Sequence, residues 1–176
     1  MQKLNQLAGI IDKSSLQAVA LWPLQNIPGF PPIIQTIHIL GVAAVMGSIV
    51  MISLRALGLA LKTQPLDEMM QRLFPWLWLA TLSNVVSGSF FVLARPYRYA
   101  ENPIFLAKIS MIFIAFPLAC RLRYLIRTDN FVENQISAQG NKISIRIISF
   151  FSIILWLSIT ISGRWIAYVE YLIYPT

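Results

Sequence analysis

Four segments of this chain are each apolar over about twenty residues, the length that crosses a bilayer core of ~30 Å as a helix. They cover about residues 33–53, 75–94, 103–122 and 147–168. Inside lipid the backbone must satisfy its own hydrogen bonds, which restricts such segments to helices. The predicted fold is therefore all-α: a four-helix transmembrane bundle. Of the 176 residues, 57% are hydrophobic and 12% charged. A soluble domain carries roughly 25% charged residues. Half that charge does not cover a water-facing surface, so lipid covers the rest.

The segments have legible ends. Residues 1–31 precede them as a separate unit, and residues 32–176 form the four-span domain. Over residues 3–22, Leu4, Leu7, Ile10, Ile11, Leu16, Val19, Ala20 and Trp22 recur at helical spacing between polar residues. This run is too polar to span and reads as an amphipathic helix on the membrane surface. Four prolines and Gly29 between Pro23 and Pro32 predict that it stops there. Pro31-Pro32 suits the start of the first span, which exits at Arg55. Gly41, Ala44, Gly47 and Ser48 lie close to one face of that span, where small residues admit a neighbouring helix. The second span opens at Pro75-Trp76, and Ser83, Ser87 and Gly88 give it a weakly polar stripe. Asn102-Pro103 supplies a cap and first-turn proline for the third span, which Pro117 should kink. Thr128–Asn141 reads as the most polar loop.

Basic residues set the orientation. Arg55, Lys62, Arg72, Arg121, Arg123, Arg127, Lys142 and Arg146 fall on one side; Lys3, Lys13, Arg95 and Arg98 fall on the other. Eight against four places the first side in the cytoplasm. In a bacterial inner membrane both termini would then face the periplasm. Tyr97, Tyr99, Trp165, Tyr168 and Tyr171 fit the outer boundary, Trp76 and Trp78 the inner one. The net charge of +7 is spread over these loops, which argues for lipid headgroups and against nucleic acid. No long apolar run follows Lys3, so the N-terminus does not read as a signal peptide.

Three basic residues fall inside the spans near the outer side. His38 lies about six residues into the first span, roughly 9 Å deep. Lys108 lies about five residues into the third, roughly 7–8 Å deep, and Arg164 a turn or two before the fourth ends. Arg95, Glu101, Arg98 and Glu170 rim the same surface. Ionisable residues at such depth face a partner or a cavity. His38, Lys108, Arg164, Arg95 and Glu101 are accordingly the candidate ligand-binding residues. Few acids among several cations favour an anion or an acceptor oxygen: a lipid phosphate, a carboxylate, a quinone or a haem propionate. The plainer readings stand beside this one. A lone His on a membrane helix commonly serves packing, and Lys108 and Arg164 have stems long enough to snorkel to headgroups or pair with Glu101 or Glu170.

Catalytic patterns are missing: no HExxH, GxSxG, P-loop or GxGxxG occurs. No carboxylate lies in mid-span. The single cysteine, Cys120, excludes an internal disulfide and a CxxC pair. One His, one Cys and scattered acids do not make a zinc site.

The string from Thr36 to Leu59, with His38, Gly41, Gly47 and the exit Leu54-Arg55-Ala56-Leu57-Gly58, resembles the first span of a bacterial family of small, uncharacterised four-helix inner-membrane proteins. Tyr99-Ala100-Glu101-Asn102-Pro103-Ile104-Phe105 followed by Lys108, and Gly163-Arg164-Trp165-Ile166-Ala167-Tyr168, extend the resemblance over about residues 33–170. It implies a four-helix membrane bundle and no established activity. The chain is similar, more distantly, to copper-resistance and haem-bearing cytochrome b membrane families, which use further histidines. Where relatives carry a second histidine at the inner end of the third span, this chain has Arg123.

Two functional expectations follow. The first is a non-catalytic accessory subunit packed against other membrane subunits, or against copies of itself. The second is a binding or redox module that holds a quinone, haem or anionic lipid near the outer face. Transport is a third and weaker option, since four spans alone seldom enclose a pathway.

Overall fold

The computed structural model describes residues 2–12, 14–129 and 135–168. Its elements are α1 (Gln2–Asp12), α2 (Ser15–Asn26), α3 (Phe30–Leu57), α4 (Leu66–Ala94), α5 (Pro96–Ala100), α6 (Pro103–Asp129) and α7 (Gln135–Trp165), with a 3-10 turn at Ile166–Tyr168. The described residues contain no strand. Helices α3, α4, α6 and α7 are each long and apolar enough to cross a membrane. The fold is the expected all-α four-span bundle, and the protein is a multi-pass membrane protein.

The helices outrun the apolar segments, mostly on the side rich in basic residues. Helix α4 begins at Leu66, nine residues before Pro75, and carries Pro75 in its interior. Its first turn is built for water: Asp67 and Glu68 suit the positive helix end, and Gln71 and Arg72 bond back to them one turn on. Helix α7 includes Gln135–Asn141, which the sequence reading gave to a loop. Helix α6 runs unbroken past Pro117 to Asp129. A polar turn outside the bilayer continues a helix at little cost, so hydropathy locates the span and not the helix end.

The N-terminal unit differs from the single predicted helix. Ser14 interrupts it, donating to the Ile11 carbonyl (2.7 Å) and capping the Gln17 amide (3.4 Å). Pro23 does not stop α2, which continues to Asn26. Proline lacks its own N–H, so the bond from position 23 to the Val19 carbonyl is forgone, while the bond from Ile27 back to the Pro23 carbonyl is kept. Helix α1 packs on α5, and α2 packs on α4.

Local chemistry sets the turns. Gly58 adopts φ +75°, and the amides of Gly58 and Leu59 return to Arg55 and Leu54. Left-handed glycine after a helix is what the Leu54–Gly58 exit encodes. Asn102 Oδ1 accepts from the amides of Ile104 (3.0 Å) and Phe105 (3.1 Å), the predicted cap of α6.

The buried positions repeat at steps of four and three: Ala115, Ala119, Leu122 and Ile126 on α6; Ile145, Ser149, Ser152, Trp156 and Ile159 on α7. That spacing is the seam of two helices wound as a left-handed pair. Helix α3 lies between α4 and α7, and α7 lies between α3 and α6. The main core sits in the half of the bundle nearer the 58–65 connection, where Ile49, Ile52, Phe74, Leu77 and Leu122 meet. Gly41 and Ser48 face this interior; Ala44 and Gly47 point outward, away from the packing face the sequence suggested.

Candidate functional site

The layer beneath α5, at the end of the bundle opposite that core, collects polar side chains from α3, α4 and α6. Helix α3 carries His38, whose Nδ1 lies 2.8 Å from Ser87 Oγ on α4. Ser87 Oγ donates its one proton to the Ser83 carbonyl at 2.7 Å. Nδ1 donates to Ser87 Oγ in one neutral tautomer and accepts from it in the other. In the tautomer that donates from Nδ1, Ser87 keeps its bond to the Ser83 carbonyl and Nε2 is left as an acceptor.

Asn84 fixes the backbone below the imidazole. Oriented to satisfy both groups, its carboxamide nitrogen donates to the His38 carbonyl (2.8 Å) and its oxygen accepts from the Val42 amide (3.2 Å). Those two groups are the partners of one helical bond in α3, so Asn84 lies against the ladder itself. Only glycine leaves room: a Cβ at Gly41 would collide with that carboxamide. Gly88 lies beside the ring, where a Cβ would make ordinary contact, 3.4 Å from His38 Cε1.

Lys108 enters from α6 and is half-buried. Its Nζ would stand 3.1 Å from a Cβ at Gly163 of α7, so the ammonium lies against the α7 backbone where a side chain is missing. Among the described residues, no carboxylate lies within ion-pair distance of it.

The other candidates sit apart from this pair. Arg164 is exposed; its guanidinium lies over the Tyr168 ring at 5.6 Å and 3.4 Å from the hydroxyl. Arg95 is exposed at the end of α4. Glu101 is exposed and accepts from Asn5 Nδ2 at 3.3 Å, tying α1 to the outer connection. Glu170 and Tyr171 lie outside the described residues. Asn84, Gly88 and Gly163 were not among the predicted site residues. An Asn in mid-span was the available signal, because a carboxamide in lipid needs a polar partner.

A cavity of about 320 Å³ opens between α3 and α4, lined by Ile34, Ile37, Leu79, Leu82 and Val86, with Ser83 and Ser87 at its polar side. In the half of the bundle that holds the core, Ser53 Oγ, Ser149 Oγ, Ser152 Oγ and Trp156 Nε1 are buried with no hydrogen-bond partner among the described residues.

A family model described as a family of unknown function, DUF6644, matches residues 30–169. The chain belongs to this family. The DUF6644 match takes in all four spans, and with them His38, Asn84, Ser87, Lys108 and Gly163; α1 and α2 precede it. No curated protein and no solved structure matches the chain.

Proposed function

We propose that this protein is a membrane binding module that holds an oxygen-bearing ligand, an anionic lipid head group or a quinone, between His38 and Lys108. The observation that carries the reading is the half-buried Lys108 ammonium, seated against Gly163 with no carboxylate within ion-pair distance among the described residues. A cation held in a low-dielectric layer is costly without an acceptor oxygen. Lys108 offers N–H donors. Neutral His38 offers a lone pair at Nε2 to a ligand O–H, and a second donor when protonated. Lipid phosphates, carboxylates and the quinone–quinol pair present matching oxygens. Haem ligation through paired imidazoles does not fit, because His38 is the chain's single histidine. The basic asymmetry supports a periplasmic position for this layer in a bacterial inner membrane.

Purification in mild detergent, followed by native mass measurement and an absorbance spectrum, tests the reading. The wild-type protein should retain a stoichiometric lipid or quinone, and Lys108→Met and His38→Ala should lose it. Equal retention by all three proteins sinks the proposal.

A second reading, an accessory subunit of a larger membrane assembly or homo-oligomer, has one observation in its favour. Gly47 faces outward with nothing within 4 Å of its missing side chain, beside the exposed Ala44. Such a notch lets a neighbouring helix approach closely. Gly47→Leu should then shift the native mass from an oligomer to a monomer, and a mass unaffected by the substitution removes this reading.

A further inference from the structure

The bundle is sealed unevenly. Helix α6 buries Ala115, Ala119, Leu122 and Ile126, all in the half nearer its C-terminus. From Pro103 to Ile114, the half that carries Lys108, no residue of α6 is buried. The seam between α4 and α6 has the same asymmetry. Near the basic end, Trp78 packs edge-on to Phe116 at 4.6 Å, and the Arg123 guanidinium lies over Phe74 at 4.2 Å. Beyond Trp78, no hydrogen bond, ion pair or aromatic contact joins the two helices among the described residues. Val85, two residues before Ser87, is 59% exposed. From Trp78 to Ser87 is nine residues, so the loosely closed flank is roughly 13 Å tall. Helix α5 bridges its top, connecting α4 to α6.

We infer that the ligand enters sideways from the bilayer, through the flank between α4 and α6, and is an amphiphile whose anionic or carbonyl oxygens meet Lys108 while its tail stays in lipid. This rests on the binding role of the His38–Lys108 layer and adds the route and the ligand class. The flank is apolar where it meets lipid and leads to the ammonium. A water-soluble anion would have to pass α5 and the outer connection, where Tyr97, Pro96 and α1 are packed together. A lipid molecule already lies at this depth and needs only to move its head group inward.

Spin-label accessibility tests the route. In a Cys120→Ser background, nitroxides are placed singly through Lys108→Cys, Ile112→Cys and, as a buried control, Ala119→Cys, and the proteins are reconstituted in phosphatidylcholine nanodiscs. Labels at 108 and 112 should collide with oxygen, which dissolves in lipid, well above the rate at 119, and rarely with a water-soluble nickel chelate. Nickel collisions that dominate would show an aqueous mouth and overturn the inference. So would oxygen rates at 108 and 112 no higher than at 119. The Ile112→Cys protein keeps Lys108, so it also reads the ligand class. Replacing part of the phosphatidylcholine with phosphatidic acid should lower oxygen access at 112 if the source is an anionic lipid. Adding ubiquinone should lower it if the source is a quinone. No response to either overturns the amphiphile class. A lipid-open flank with no copurifying ligand would instead count against the binding role alone.

Discussion

At the scale of single residues, one proton explains much of the site. When Ser87 gives its hydrogen to Ser83, His38 donates through Nδ1 and exposes Nε2. The pair should be energetically coupled. A double-mutant cycle with His38→Ala and Ser87→Ala, read by unfolding in mixed micelles, should return roughly 0.6 kcal/mol, the size of polar contacts between membrane helices. A coupling of zero would mean that the ring does not rest on Ser87. Tyr99, outside the spans on α5, gives a pH prediction. Burial raises its phenol pKa above the ordinary 10.0, while Arg98 and Arg95 pull the other way. The folded state therefore keeps the proton longer than the unfolded chain. The stability this confers is full below about pH 10 and is lost as pH rises past it. Tyr99→Phe should flatten that alkaline loss in a melting series. His38 and Lys108 were legible in the sequence as basic residues at matching depth, because depth follows from counting along a helix. Asn84 and the two glycines were not, since their roles exist only where another helix touches them.

At the scale of elements, caps and registers do what hydropathy does not. Asn102 is 6% exposed, caps α6, and donates from Nδ2 to the Ile166 carbonyl at 3.2 Å, closing the end of α7. Asn102→Ala removes both, and should lower stability by about 1–2 kcal/mol in chemical unfolding. It should also loosen Lys108, which lies less than two turns further on. The α1–α2 unit shows the limit of periodicity. The sequence suggested one helix on the membrane, and Ser14 turns it into two that dock on α5 and α4. Leu7, Ile10, Leu16, Val19 and Trp22 remain exposed on the pair. That pattern keeps membrane-surface contact as a proposal for both helices. Ile10→Glu with Val19→Glu should make the N-terminal unit cleavable by protease in reconstituted vesicles, where the wild-type unit resists.

At the scale of the molecule, an even number of spans puts the ends of α3 and α7 that flank the site on one side. The loop after Gly58 and the α6–α7 connection lie on the other. Reporter fusions should follow: an alkaline phosphatase fused after residue 168 should be active, and one placed in the 58–65 connection inactive. The reverse pattern would invert the orientation read from the basic residues and move the His38–Lys108 layer to the cytoplasmic leaflet. The contrast between a sealed half and a loosely closed half is also a property of this scale. No single helix contains it, because it arises from which residues of α4 and α6 meet.

The amino-acid sequence specifies four helices long and apolar enough to cross a membrane, and how far along its own helix each basic residue falls. Those facts depend on local composition and on the fixed rise of a helix. Helix rotation and pairing are set by tertiary contacts. They bring His38 to Ser87, press Asn84 into the α3 backbone at Gly41, and seat Lys108 at Gly163. They also leave Arg164 facing outward beside Tyr168. Four apolar faces are nearly equivalent to lipid, so only the fit of small and polar side chains between helices selects which of them turn inward.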